Sequence, residues 1–189
     1  KKPKPQETLP LYFSREEFNV FLNIIDDMDF KELVIFALLS GMRLAEMTNL
    51  KWTDVDLNRK VIIIQNSDTF KTKSGKSRVV PMNEELFKML SLKKHEADNE
   101  YVFIKNGLKY RDEYVSKTFK RFVRQAGINE KLHFHSLRHS FASWLVADGV
   151  SLFEVQRLLG HSNPMTTMIY SHLQPERMHG TVNRIFINR

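Results

Sequence analysis

Residues 135–139 (HSLRH) place three basic side chains at helical spacing. His135, Arg138 and His139 occupy positions i, i+3 and i+4, so on a helix they share one face. Two histidines four residues apart can bind zinc, but the chain has no cysteine and no nearby acid completes an H-E-x-x-H pattern. We therefore predict no metal and no other cofactor here. By itself such a cluster is more typical of a structural role than of catalysis.

Composition favours a polyanionic partner. The 189 residues carry 29 Lys and Arg against 22 Asp and Glu, a formal charge of +7, with an isoelectric point near 9.6. This excess points to nucleic acid before membrane. The longest apolar run, residues 33–39, is far shorter than the roughly 18 residues that span a bilayer. A soluble protein without disulfides is expected, which is compatible with a reducing cytoplasm.

The N-terminal third predicts two helices. Ser14 and Glu17 form a capping box, from which a helix should run to about Asp27. Residues 30–39 are apolar nearly all round, which predicts a buried second helix. Gly41 interrupts that helix.

The middle of the chain predicts one small antiparallel sheet. Residues 61–64 and 79–80 are β-branched strands, and Ser74 with Gly75 supplies the turn between them. Residues 101–104 could add a short strand. The hairpin should expose four cations, namely Lys71, Lys73, Lys76 and Arg78.

Two helices follow the sheet. Asn83 can cap the first, and residues 113–126 should form the second, with Gly127 as its stop. Its apolar face consists of Val115, Phe119, Phe122 and Val123. Its opposite face is a basic stripe of Lys117, Lys120, Arg121 and Arg124. This stripe is either a solvated surface or a DNA-phosphate contact, and the net charge favours the second interpretation.

The last third predicts three short helices. They cover residues 135–148, ended by Gly149, residues 151–159, ended by Gly160, and a stretch from residue 163 that carries Tyr170. In the first, the buried stripe should consist of Leu137, Phe141, Trp144 and Leu145. That stripe would leave His135, Arg138 and His139 together on another face.

Four ordered motifs resemble the tyrosine recombinase (integrase) family over nearly the whole chain. They are residues 40–46 (SGMRLAE), 72–81 (TKSGKSRVVP), 135–139 (HSLRH) and 158–161 (LLGH), followed by Tyr170 nine positions after His161. The resemblance implies an α+β, mainly α-helical catalytic-domain fold with a small antiparallel β-sheet. Ser40 and Ser136 stand where Thr and Asp are common in the family, and neither change removes a phosphate ligand.

The resemblance implies a role for each motif residue. Arg43 and Arg138 would hold the scissile phosphate, because two guanidiniums can stabilise the charge of the transition state without a metal. Tyr170 would be the nucleophile, forming a 3′-phosphotyrosine. Lys73 would protonate the leaving 5′ oxygen, and Glu46 would orient an arginine.

Two further histidines complete the implied site. His135 and His161 would contact the phosphate or assist proton transfer, and His135 is the first candidate for the base that tyrosine, with a pKa of about 10, requires. Lys71 and Lys76 compete with Lys73 as the acid. We assign Lys71 and Lys76 to DNA binding, together with His139 and the basic stripe.

The implied protein cleaves and rejoins duplex DNA without ATP, as a homotetramer on two duplexes, with accessory DNA-bending or directionality proteins as further partners. Residues 1–10 would be a linker from a missing N-terminal DNA-binding domain. Residues 11–180 would be the catalytic domain, and residues 181–189 a tail that docks on a neighbouring protomer or on its own core. Three alternatives remain open: a type IB topoisomerase, a non-catalytic DNA-binding regulator and a zinc hydrolase.

Overall fold

The computed structural model describes residues 9–66 and 77–174. Within these ranges the chain is mainly helical with small antiparallel sheets, which confirms the predicted fold class. The helices are α1 Arg15–Ile24, α2 Met28–Ser40, α3 Leu44–Thr48, α4 Glu84–His95, α5 Asp112–Gln125, α6 Ser136–Ala147, α7 Leu152–Leu159 and α8 Met165–Met168. The strands are β1 Val55–Asp56, β2 Val61–Ile64, β3 Arg78–Pro81, β4 Ile104–Lys105 and β5 Leu108–Lys109.

Side-chain caps set several helix starts as predicted. The Ser14 hydroxyl accepts from the Glu17 N–H at 3.0 Å, and the Glu17 carboxylate accepts from the Ser14 N–H at 2.9 Å. A second capping box begins α7. The predicted end of α1 near Asp27 is wrong: α1 ends at Ile24 because the Asp27 carboxylate instead caps α2, accepting from the Phe30 N–H at 3.2 Å.

Residues 9–66 and 77–174 form two sheets rather than the one predicted. Strands β1, β2 and β3 pair antiparallel in that order, with Ile64 opposite Arg78. Strands β4 and β5 form a separate hairpin whose turn residues, Asn106 and Gly107, have φ values of 52° and 74°. An Asn-Gly pair is a strong hairpin signal that our prediction did not use. Residue 101 lies outside β4 and forms only an isolated bridge to Lys51.

A large aromatic core joins α1, α2 and α5 to α6. The apolar face of α5 is buried as predicted. Phe13, just before α1, is fully buried and is fastened to α6 by its backbone: its N–H donates to the Ser140 hydroxyl, and its carbonyl accepts from the Trp144 indole, both at 2.9 Å. These two bonds hold α6 in a defined position relative to the N-terminal helices.

The buried face of α6 differs from the predicted stripe. Leu137 is fully buried, but Phe141, Trp144 and Leu145 are half-buried. The remaining buried side chains include small ones, Ser136, Ser140, Ala142 and Ser143. Because α6 packs against α2 and also against α7, its buried side chains are spread over more than one face instead of forming a single stripe.

A second, smaller core cluster positions Tyr170. Its buried members are Ala142 and Val146 of α6, Val155 and Leu159 of α7, and Tyr170 itself. The predicted helix through Tyr170 is wrong, because α8 ends at Met168 and Tyr170 lies between it and a 3-10 turn. Among the helices of residues 9–66 and 77–174, none is both long and apolar enough for a bilayer span.

Candidate active site

Arg138 is the buried centre of the site. Its side chain, on α6, donates from Nη1 to the Gly41 carbonyl and from Nη2 to the Leu159 carbonyl, both at 2.6 Å. The guanidinium therefore connects the ends of α2 and α7. Burial, followed by the nearby charges of Arg43 and Arg78, lowers the pKa of Arg138 to about 9, which leaves it charged at neutral pH.

Gly41 permits this arrangement. It ends α2 in the left-handed conformation, with φ of 59°, and a Cβ there would meet the Phe141 ring at 2.5 Å. A glycine is therefore required both by the backbone and by the packing of α6. The same turn presents Arg43 at the start of α3.

Glu46 joins two arginines in a cluster that we call the Glu46 bridge (Arg43, Glu46 and Arg78). Its Oε1 accepts from Arg43 Nη1 at 3.0 Å and Arg78 Nη1 at 2.8 Å. Its Oε2 accepts from the Arg43 backbone N–H at 2.8 Å and Arg78 Nη2 at 2.6 Å. Burial would raise the pKa of Glu46, but the hydrogen bonds and charge of Arg78, followed by those of Arg43, lower it to about 2.

The predicted exposure of Arg78 is wrong. Its side chain is only 9% exposed, since its guanidinium is paired with Glu46 and its stem packs at Gly160. Burial requires that an arginine be paired, and Glu46 satisfies that requirement. Arg78 is thus part of the site and not a surface cation of the hairpin.

The Tyr170 hydroxyl is hydrogen-bonded to Nδ1 of His139 at 2.7 Å. Tyr170 is 1% exposed, and burial raises its pKa to about 12 although the charge of Arg138 opposes the shift. Burial, then the charges of His133 and Arg138, lowers the pKa of His139 to about 4. A neutral imidazole has one nitrogen that can accept a proton, so His139 can take the proton of Tyr170.

The other two histidines belong to the same electrostatic environment. The His135 ring lies edge-on to His139 at 5.0 Å between centroids, and partial desolvation of the ring by the site, with the nearby positive charge of Arg138, lowers its pKa. His161 Nδ1 is hydrogen-bonded to the Thr167 hydroxyl at 2.8 Å. Burial lowers its pKa to about 3, aided by the charges of Arg138, Arg43 and Arg78.

The arrangement suits a phosphate diester. It combines three guanidiniums with one carboxylate and neutral histidines, beside a tyrosine hydroxyl already paired with a proton acceptor. In residues 9–66 and 77–174, no group of three or more His, Cys, Asp or Glu side chains could hold a metal ion.

Comparison with known families decides what kind of protein carries this site. The model of the phage integrase family matches residues 12–177. The chain belongs to the phage integrase family. Among curated relatives, the tyrosine recombinase XerA of Thermococcus onnurineus (strain NA1) is 35% identical over 93% of this chain and 63% of its own length. The tyrosine recombinase XerC of Lactobacillus leichmannii is 32% identical over 92% of this chain and 62% of its own length.

Solved structures show the same fold. A crystal structure of XerA recombinase superposes with a TM-score of 0.75 at 27% identity, covering 97% of this chain and 68% of that one. The catalytic domain of bacteriophage HP1 integrase has a TM-score of 0.68 at 28% identity and covers 91% of this chain and 93% of that one. The chain spans less than two thirds of the curated relatives quoted above, 63% and 62%.

The structure of this integrase-family chain brings together six of the seven residues that were predicted to be catalytic or orienting. Arg43, Glu46, His135, Arg138, His161 and Tyr170 lie in one cluster. Lys71, Lys73 and Lys76 lie outside the described residues, so the predicted general acid stays a prediction.

The basic stripe of α5 lies apart from the hydrogen bonds of the site. Lys117, Arg121 and Arg124 are exposed, and Lys120 is half-buried. Two of the four already have partners near the end of the helix: Lys120 donates to the Glu130 carbonyl, and Arg124 lies 3.7 Å from the Glu130 carboxylate. Contact with DNA phosphates therefore stays a prediction.

Sequence analysis missed two features of the site. It placed Arg78 on the surface, although Arg78 and the buried Val80 are two positions apart in β3, so their side chains lie on the same, inward face of the strand. It also assigned His139 to DNA binding and made His135 the first candidate base. The hydroxyl of Tyr170 is hydrogen-bonded to His139 instead. His139 lies on the same helix face as His135, one turn further along, so the helical spacing alone does not distinguish the two.

Proposed function

We propose that this chain is the catalytic part of a site-specific DNA recombinase that cleaves and rejoins strands through a 3′-phosphotyrosine at Tyr170, without metal or ATP. The observation that supports it most directly is the 2.7 Å hydrogen bond between Tyr170 and a neutral His139, next to the buried Arg138. That geometry supplies a nucleophile and a proton acceptor beside a site for phosphate charge.

The proposed step balances without a further reagent. The Tyr170 oxygen bonds to phosphorus and its proton passes to Nδ1 of His139. The bond from phosphorus to the 5′ oxygen breaks, and that oxygen takes a proton from Lys73. Arg43 and Arg138 stabilise the charge on the non-bridging oxygens. The reverse step rejoins a strand, since the phosphodiester energy is kept in the tyrosine ester.

Tyr170 must reach the phosphate for this step. Its ring is 1% exposed in the second core cluster, so the DNA-bound state has to bring the hydroxyl toward the surface. That displacement has to take the ring out of the second core cluster while the hydroxyl stays within reach of His139.

The proposal includes partners and domain organisation. The duplex DNA partner is supported by solved relatives: XerH recombinase is described as bound to difH substrate, with a TM-score of 0.72 at 28% identity over 96% of this chain. Assembly as a tetramer, accessory proteins and an upstream DNA-binding domain extend the proposal. Most of the predicted linker, residues 1–10, and all of the predicted tail, residues 181–189, lie outside the described residues.

A trapping experiment tests the proposal. The protein, with and without its natural upstream sequence, is incubated in chelator with nicked, fragmented DNA from its source organism. A nick beside the cleavage point releases a short fragment and prevents rejoining. We expect a denaturant-resistant protein–DNA adduct whose peptide contains Tyr170 and whose DNA is attached through a 3′ phosphate.

Tyr170→Phe is the matched control, because it removes the hydroxyl and keeps the buried ring. The variant should bind DNA with unchanged affinity and form no adduct. An adduct in Tyr170→Phe would contradict the assignment of the nucleophile, and loss of the wild-type adduct in chelator would contradict metal independence. Strand exchange between two duplexes separates a recombinase from a topoisomerase that only relaxes supercoils.

A further inference from the structure

We infer that Arg78 is a positioning residue, which sets the orientation of the phosphate-binding Arg43 through the carboxylate of Glu46. This inference rests on the proposed function, because it assigns Arg43 to the scissile phosphate. The predicted catalytic set does not include Arg78. In that set Glu46 orients an arginine, and no residue is assigned to hold Glu46 itself.

The contacts show how the orientation is transmitted. Arg78 donates through both terminal nitrogens to the two carboxylate oxygens of Glu46, at 2.8 and 2.6 Å. Such a two-point contact fixes the plane of the carboxylate as well as its position. Glu46 in turn accepts from the side chain and the backbone N–H of Arg43. The orientation of Arg43 therefore depends on a carboxylate that Arg78 holds.

Burial makes the contact rigid. The side chains of Glu46 and Arg78 are 2% and 9% exposed, against 20% for Arg43. The Nε atom of Arg78 is buried and has no hydrogen-bond partner within the described part of the chain. With both terminal nitrogens committed to Glu46, the Arg78 guanidinium is held through that one carboxylate, whereas Arg43 keeps an exposed edge for a ligand.

The absence of a side chain at Gly160 leaves room for the stem of Arg78. Gly160 follows α7 with φ of 65°, and a Cβ at this position would lie 2.4 Å from Cδ of Arg78. Because the far end of Arg78 is bonded to Glu46, its stem cannot move aside without breaking that pair. The Arg78 side chain thus reaches from the end of α7, next to His161, to Glu46 in α3, the helix that Arg43 caps.

Single-turnover cleavage on two substrates tests the inference. One is the nicked duplex carrying the trapped site, and the other is the same duplex with a neutral methylphosphonate in place of the scissile phosphate. Arg78→Ala should slow cleavage of the phosphodiester about tenfold or more, with DNA affinity unchanged. It should slow cleavage of the methylphosphonate by less than about twofold, because a neutral centre needs little from Arg43.

A double-mutant cycle gives an independent readout. If Arg78 acts through the guanidinium of Arg43, then Arg78→Ala should have a much smaller effect in the Arg43→Lys background. Equal slowing in both backgrounds and on both substrates would overturn the inference, since a residue that merely supports the fold affects them alike. If the wild type forms no adduct at Tyr170, the proposed function itself fails, which is a distinguishable result.

Two further variants control for folding. Arg78→Ala leaves a buried carboxylate with half its partners and can prevent folding, so Arg78→Lys is measured in parallel. It keeps the charge, loses the two-point contact and should show a weaker slowing with the same dependence on substrate. Arg15→Ala breaks an exposed arginine–carboxylate pair with Asp148 and should leave both cleavage rates unchanged.

Discussion

The two halves of the site hold their side chains in opposite ways. In the Glu46 bridge, each carboxylate oxygen accepts two hydrogen bonds, and all three side chains are charged. In the other half, which we call the tyrosine half (His135, Arg138, His139 and Tyr170), Tyr170 and His139 are neutral and share one hydrogen bond.

Burial affects the two halves differently because their partners differ. It opposes the charge of Glu46, but two guanidiniums overcome it, so the bridge stays ionised. It also opposes charge on His139, where the neighbouring cation Arg138 acts in the same direction. The site therefore keeps the charge of its Glu46 bridge pre-organised and its proton-transfer groups, Tyr170 and His139, neutral.

The largest expected effect comes from Arg138, which is electrostatically coupled to both halves. Arg138→Ala should slow single-turnover cleavage on the order of 1000-fold, as lost oxyanion donors do in other enzymes. Arg138→Lys should recover little, since an ammonium cannot reach the Gly41 and Leu159 carbonyls and also a phosphate. Near wild-type cleavage rates for Arg138→Lys would show that a positive charge at this position is enough for catalysis. The hydrogen bonds that connect Arg138 to α2 and α7 would then not matter for the rate.

The next effect separates the two candidate bases. His139→Ala should slow cleavage about 100-fold, whereas His135→Ala should have a smaller effect. The wild-type rate should rise with pH through about 4, where His139 loses its proton, and then level off. The His139→Ala rate should instead keep rising at high pH, since Tyr170, with a pKa near 12, then has to ionise by itself. A larger loss in His135→Ala would reassign the base.

A smaller effect is expected from Gly160→Ala, which disturbs the packing of Arg78 in the Glu46 bridge without changing a charge. The new methyl group meets Arg78, so the variant should lose about 2 kcal/mol of unfolding free energy and about tenfold in cleavage rate. Gly127→Ala is the matched control: its φ is 64°, but nothing lies within 4 Å. It should cost only the backbone strain of about 1 kcal/mol and leave cleavage unchanged. Equal losses in both variants would mean that Arg78 moves aside freely.

The smallest effect is the pH dependence of stability. Each half of the site changes the unfolding free energy over its own pH range, which we call its window. Unfolded histidine titrates near 6.5 and His139 near 4, so the unfolded state binds more protons between these values. The unfolding free energy therefore falls as pH drops from about 6.5 to about 4. For Glu46 the corresponding loss lies between 4.5 and about 2.

Denaturant titrations across this range check the assignment of the two windows. His139→Gln should reduce the slope of the upper window, to which His135 and His161 also contribute, and Glu46→Gln the slope of the lower one, each by less than the roughly 1.4 kcal/mol per pH unit that one full proton would give. An unchanged upper window in His139→Gln would show that its imidazole is not held neutral.

Local signals in the sequence predicted much of the fold. The Ser14 and Glu17 pair, Asn83 and the glycines after α2 and α7 set helix ends through interactions that span at most four residues. Predictions failed where distant packing decided the result. Phe141 and Trp144 are only half-buried, whereas Ser136 and Ser140 are buried, because α6 packs against α2 and also against α7. No property of α6 alone shows which of its sides will face another helix.

Most of the chemical groups of the site can be identified from the sequence, with Arg78 as the exception. Arg43, Glu46, His135, Arg138 and Tyr170 could be singled out because their types and order are specific. Which groups pair depends on the folded structure: Arg78 pairs with Glu46, 32 positions apart, and Tyr170 with His139, 31 positions apart. Side-chain hydrogen bonds act over about 3 Å, and only the packing of α3, β3, α6 and the turn after α8 brings such distant residues within that range.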